Sequence, residues 1–179
     1  MVAEHPVFPL QNQMRPNQLL QAIGADLRMQ IMTYMQTDQR AAYKAVIDSL
    51  APAKRLRPAF ILEKSRAKQA EWVLEQLGMK ANEEVTAQIF QIWLLKGQSQ
   101  MLITFLDAAT IAHDGKGEVT ELPEVIADDK AEAAITALLA AYPAKQVALY
   151  LAMFQQQREG GWISLTKAIE AHPELKLEA

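Results

Sequence analysis

The chain has 179 residues, half of them hydrophobic and 22% charged, a balance typical of folded globular proteins. A formal net charge of −3 gives the molecule as a whole no field that draws it to nucleic acid or an anionic membrane, so binding to either would have to be local. With no cysteine, disulfides, thiolate metal sites and thiol catalysis are excluded.

Residues 1–14 carry Pro6 and Pro9 and no helical period, so they read as an extended arm that Val7, Phe8 and Leu10 could dock on the body. The start lacks a basic segment followed by a long apolar run, and no run approaches ~18 apolar residues. The chain therefore reads as a cytoplasmic protein without a membrane span. From Arg15 the pattern changes. Pro16 suits a first helical position, and Leu20, Ile23, Leu27, Ile31 and Tyr34 recur at spacings of three and four. That spacing predicts one helix of about five turns with Gly24 in its interior. Thr37 or Asp38 can cap a second helix with the stripe Ala42, Val46, Ile47 and Leu50, which Pro52 ends.

Pro58 then opens a short helix through Phe60, Ile61 and Leu62, and Ser65 caps another that carries Trp72, Val73 and Leu77 and stops at Gly78. Asn82 stands as the next cap, with Glu83 and Glu84 at the positive end of the helix dipole. The following stretch from Val85 to Leu95 is apolar almost all round a 3.6-residue wheel, which predicts the central helix of the protein. Gly97 interrupts it. A helix with Met101, Leu102, Phe105, Leu106 and Ala109 inward follows, and leads into the turn His113-Asp114-Gly115-Lys116-Gly117. Beyond an acidic connector broken by Pro123, Asp128 caps a helix with Ile135, Leu138 and Leu139. Pro143 separates it from a second all-round apolar helix, Gly160 and Gly161 break the chain, and Trp162, Leu165 and Ile169 define a last helix before a frayed tail.

These elements make a compact all-α bundle of about seven or eight helices, with residues 15–179 as a single domain. One pattern occurs twice, from about Ser65 to Ile111 and from about Asp128 to His172: an amphipathic helix, an all-round apolar helix, Gly, and a second amphipathic helix. It sets Val85 against Val147, Lys96 against Arg158, Gly97 against Gly160 and Leu102 against Leu165. Two related three-helix units, within subunits 15–112 and 128–172 and joined by the connector 113–127, are therefore a candidate duplication. Any all-α chain with Gly breaks yields similar matches.

Chemistry-bearing motifs are sparse. His113 and Asp114 form the dipeptide that metal-dependent phosphohydrolases use, but the chain offers only His5 and His172 besides, so an Asp114 turn is the simpler reading. A calcium loop beginning at Asp114 would need Gly where Val119 stands. Asp107, on the preceding helix, is within reach of orienting His113, although an exposed helix residue is the simpler reading. No nucleotide, metal or other cofactor is expected. Trp72, Trp93 and Trp162 fall on apolar faces and read as core.

Charge is segregated. Lys54, Arg55, Arg57, Lys64, Arg66 and Lys68, a third of the 18 basic residues, surround the single acid Glu63. Glu118, Glu121, Glu124, Asp128, Asp129 and Glu132 face them with one Lys130. The basic run reads first as a solvated face or one paired with the acidic run, within the chain or across a homodimer. A partner-protein site or phosphate contacts are the alternatives. The leading expectation for function is thus a non-enzymatic interaction or assembly protein with a protein partner. A nucleic-acid-associated protein using residues 54–68 and a metal-dependent hydrolase at the His113-Asp114 turn stand behind it.

Overall fold

A computed structural model describes residues 14–157 and 161–178. Most of the N-terminal arm and the residues Arg158 and Gly160 of the proposed repeat lie outside the described residues. Within them the chain is all helical. Ten α-helices follow in order: α1 Pro16–Ala22, α2 Ala25–Asp38, α3 Arg40–Leu50, α4 Pro58–Leu62, α5 Arg66–Leu77, α6 Glu83–Ile92, α7 Ser99–Ala108, α8 Asp128–Ala141, α9 Ala144–Gln156 and α10 Ile163–Glu170. Short 3-10 turns occupy Pro52–Lys54, Lys80–Asn82 and Pro173–Leu175. None of these helices is long and apolar enough to cross a membrane.

Several boundaries follow from local chemistry. Pro58 begins α4, the Ser65 hydroxyl accepts a hydrogen bond from the Lys68 amide at the start of α5, and Gly78 ends that helix. Asn82 sits at the entry of α6, but its side chain turns away from the helix and donates to the Gln76 carbonyl at 2.7 Å. Thr37 and Asp38 stay in the last turn of α2, where the Thr37 hydroxyl bonds the Thr33 carbonyl, and Gln39 alone forms the corner into α3. Asp128 is likewise the first helical residue of α8, with Ala127 at the cap position.

Two helices replace the single first helix read from the spacing. Gly24 breaks the chain with φ 86° and ψ 166°, a conformation in which a Cβ is strained. The apolar stripe survives the break, because Leu19, Leu20 and Ile23 of the first segment and Leu27 and Ile31 of the second all reach the core.

The centre of the molecule is α9, not the stretch from Val85 to Leu95. Ten consecutive residues of α9, Gln146 to Gln155, are buried, which requires cover on every side of the helix. In α6 the buried face is Thr86, Ile89 and Phe90, while Gln88 and Gln91 are exposed and Leu95 is 56% exposed. The end of that helix widens into a π turn, Trp93–Gly97, whose Trp93 is only 2% exposed. Gly97 is needed there, since a Cβ would stand 3.0 Å from the Tyr34 ring.

Helix α7 packs along α8 and α8 along α10, so the two proposed three-helix units meet directly. Buried side chains from all ten helices form one contiguous cluster. Inside it, Phe105 of α7 meets Phe154 and Tyr150 of α9 at ring separations of 4.8 and 5.6 Å, and Trp162 closes the group against Phe154 at 5.2 Å. Such aromatic pairs contribute about 0.5–1.5 kcal/mol beyond the area they bury. Gln155 serves this region as a buried strut: its Oε1 accepts from the Trp162 amide at 2.9 Å and its Nε2 donates to the Thr166 hydroxyl at 3.1 Å. The Trp162 indole N–H donates to the Pro123 carbonyl at 3.0 Å, which fastens the acidic connector to the core.

The C-terminal segment is not frayed. Leu175 and Leu177 are buried, and His172 is held by Glu132 on α8 at 2.7 Å and by Glu174 at 3.3 Å.

Candidate functional site

The basic segment folds into an exposed corner between α3 and α5. After α3 the chain makes the 3-10 turn Pro52–Lys54, and Arg55 follows in the left-handed region at φ 57°. The Arg55 amide bonds the Pro52 carbonyl and the Leu56 amide bonds the Ala51 carbonyl, the paired bonds of a left-handed helix stop that normally uses Gly. An arginine there is locally disfavoured. Leu56 and Ile61 turn inward, so Lys54, Arg55 and Arg57 point outward around them.

Polar struts hold the corner. The Gln69 side chain donates to the Leu62 and Lys64 carbonyls at 3.0 and 2.8 Å, and the Gln36 side chain donates to the Arg66 carbonyl at 2.8 Å. Five of the six basic residues are exposed and Lys64 is half-buried, its ammonium 4.3 Å from the centre of the Phe60 ring. Phe60 is itself 53% exposed. None of the six forms an ion pair with a described residue, so pairing with the acidic run inside the chain is not part of this fold. The acidic run is also solvent-facing: Glu118, Glu121, Asp128 and Asp129 are exposed and make no ion pair among the described residues, and Val125 between them is 79% exposed. Within the run, Glu132 is taken up in an ion pair by His172.

The turn at His113 and Asp114 is built as an Asp-centred loop. Asp114 Oδ1 accepts from the Lys116 and Glu118 amides at 2.8 and 3.0 Å, and the Lys116 bond foremost holds the carboxyl below its ordinary range. The structure also brings Asp107 to His113, at 2.8 Å from Nε2, while Nδ1 accepts from the Gly115 amide at 3.1 Å. A ring nitrogen that accepts from a backbone N–H carries no proton, so the hydrogen sits on Nε2 and points at Asp107. Both nitrogens are thereby engaged. His172 is committed to its own carboxylates, and no group of three or more His, Cys, Asp or Glu converges as a metal-ligand set among the described residues. The arrangement acts as a loop clasp.

A second backbone outlier precedes this turn. Thr110 adopts φ 59° at the end of α7, with the Thr110 and Ile111 amides bonding the Asp107 and Leu106 carbonyls. No sequence signal marks either Arg55 or Thr110, since both stand where Gly is the usual residue.

The structure shows one further feature that the sequence did not single out. Tyr150, within the apolar run of α9, lines a cleft of about 210 Å³ between α6, α7, α9 and the loop after Gly117. The residue is 6% exposed, and its hydroxyl is buried with no hydrogen-bond partner among the described residues. Only the hydroxyl distinguishes that position from the surrounding apolar residues.

No family model, curated protein or solved structure matches this chain.

Proposed function

We propose that this is a non-enzymatic assembly protein whose basic corner at residues 54–68 engages the acidic connector at residues 118–132 of a second copy. The observation that carries the reading is that the two runs have opposite charge, and that Lys54, Arg55, Arg57, Arg66 and Lys68 on one side and Glu118, Glu121, Asp128 and Asp129 on the other are exposed and make no ion pair among the described residues. Arg55 adds support: a strained left-handed conformation is retained with an arginine that glycine would relieve, as expected where the side chain itself is wanted.

Magnitudes decide what else is needed. Exposed ion pairs contribute about 0.2–1 kcal/mol each, so four to six of them supply roughly 1–6 kcal/mol. A millimolar complex already requires about 4 kcal/mol. Charge alone would give at best a weak, salt-sensitive association. Phe60 on the basic side and Val125 on the acidic side are the apolar groups that would strengthen it, each exposed beside its charges.

Mass in solution measured by sedimentation across protein concentration tests the reading. In low salt the mass rises with concentration, and it falls to that of one chain near 1 M salt, where the screening length shrinks to about 3 Å. A single-chain mass at every concentration in low salt contradicts self-assembly. Co-purifying nucleic acid that is lost when Arg55, Arg57 and Arg66 become Glu would move the basic corner to phosphate binding instead.

A further inference from the structure

The acidic connector and the end of α7 together wall an open groove of about 590 Å³. Thr110, in its left-handed conformation, turns the chain at the end of α7, and Ile111 and Ala112 beyond it line the groove together with Leu122, Val125 and Ile126 of the connector. Apolar side chains thus supply most of the lining. Its charges are uneven: Glu121 and Glu124 stand against the single Lys130, and Asp128 and Asp129 follow next in the chain. Glu121 is exposed and makes no ion pair among the described residues.

A groove of this chemistry selects an apolar group that carries a cation beside it. The basic corner presents such a group. Phe60, in α4, is half exposed, and the ammonium of Lys64 lies 4.3 Å from the centre of its ring. Ring and ammonium form one protruding unit, with Arg57 exposed at the start of the same helix. In their own chain these groups are left uncovered, since Phe60 stands in solvent and Val125 at the groove is exposed as well.

We propose that the groove between the end of α7 and the connector receives Phe60 of a second copy, with that copy's Lys64 ammonium meeting Glu121. The inference rests on the self-assembly proposed above and assigns the apolar contact within it. Size permits the fit, because a cavity of about 150 Å³ already holds benzene, and about 590 Å³ leaves room for the Lys64 stem beside the ring. Charge complementarity favours this groove over two other clefts. The cleft between α6, α7 and α9 has no ionic side chain in its lining, and the one around Gly24 has a lining of no net charge, with Lys145 against Asp26. Neither attracts a cation as the groove under the connector does.

The chain has no cysteine, so introduced thiols are unique and allow site-directed crosslinking. Ala59→Cys, exposed next to Phe60, is mixed in low salt with Ala112→Cys in the groove or with Ala140→Cys, exposed near the end of α8, and each pair is treated with a short bismaleimide. Crosslinked dimers form with Ala112→Cys and not with Ala140→Cys. In sedimentation Phe60→Ala weakens self-association about ten- to thirtyfold, as for an aromatic anchor, while the melting transition is retained because the residue is half exposed. Equal crosslinking to both positions, dimers that join Ala112→Cys chains to one another instead, or association unchanged by Phe60→Ala would each overturn the groove contact while the charge pairing stands. A wild type that sediments as a single chain at every concentration removes both.

Discussion

Replacing Gly24 with Ala separates two accounts of the first thirty-eight residues. If one helix ran through this position, Ala would be favoured by up to about 1 kcal/mol in a helix interior. The structure reverses the sign. At φ 86° and ψ 166° the backbone lies in a region open essentially to Gly alone, and placing a Cβ there costs of order 1–3 kcal/mol. The new methyl would also stand 3.0 Å from the Lys145 ammonium, but that is the tip of a flexible side chain and can move. Ala loses less backbone entropy than Gly on folding, which offsets roughly 0.4–1 kcal/mol of the strain. The net expectation is a loss of about 1–2 kcal/mol. For a chain of this size each kcal/mol corresponds to about 2–4 °C in Tm, so thermal unfolding should shift down by roughly 2–8 °C. Gly115→Ala is the companion variant, since Gly115 also has positive φ and no atom lies within 4 Å of its would-be Cβ. A rise in Tm for Gly24→Ala would refute the break between α1 and α2.

Four other variants follow from the same geometry. Trp93→Ala removes a nearly fully buried aromatic and should cost about 3–5 kcal/mol in urea denaturation, and an unchanged midpoint would place Trp93 outside the core. Arg55→Gly and Thr110→Gly each relieve a left-handed residue and should raise stability by about 1 kcal/mol, with Arg55→Gly alone weakening self-association. A loss of stability in either would mean that the side chain, not the backbone, dominates there. His172 has its pKa raised above the ordinary 6.5, foremost by the hydrogen bond to Glu132 and further by Glu174, against an opposing effect of burial. Its folded value exceeds its unfolded value, so the stabilisation is complete below about pH 6.5 and is lost as pH rises through the folded pKa. The urea midpoint of the wild type should therefore fall from about pH 6 to pH 8 relative to that of His172→Gln, and parallel profiles would remove the ion pairs from the account.

How far the sequence carries depends on whether a local residue or a tertiary neighbour decides the outcome. Pro58, Ser65, Gly78 and Pro143 each act through their own backbone chemistry, and the helices begin or end where those residues require. The all-α class follows from the same signals. Gly24 was misread because the apolar period continues across it, from Ile23 to Leu27, and periodicity cannot distinguish a tolerated glycine from a break. The central helix was misassigned for a different reason. Val85–Leu95 is apolar almost all round but carries Thr86, Gln88 and Gln91, whereas Val147–Phe154 has no polar group but the Tyr150 hydroxyl, and it is α9 that the other helices cover while Leu95 reaches solvent. Leu175 and Leu177 bury against the body through tertiary contacts that a short tail sequence does not announce.

The candidate surfaces divide in the same way. Residues 54–68 and 118–132 were legible as charged runs because charge is a property of residue type. Whether the runs met each other was not legible, and the fold leaves them unjoined. His113 and Asp114 were legible as a turn, and Asp107, six residues upstream on the preceding helix, reaches His113. Tyr150 carried no signal, since an unsatisfied hydroxyl is defined by what surrounds it and not by its place in an apolar run.

The most direct test of the assembly account is a charge-exchange experiment read by sedimentation. One variant carries Arg55, Arg57 and Arg66 changed to Glu, and a second carries Glu121, Asp128 and Asp129 changed to Lys. Each variant alone places like charges on both surfaces, so each should sediment as a single chain at low salt while remaining folded, because none of these residues forms an ion pair within the described residues. Mixed in equal amounts, the two restore opposite charges across the contact and should form a complex that dissociates near 1 M salt. Single-chain sedimentation of the mixture, with the wild type still associating, would contradict the pairing of the basic corner with the acidic connector.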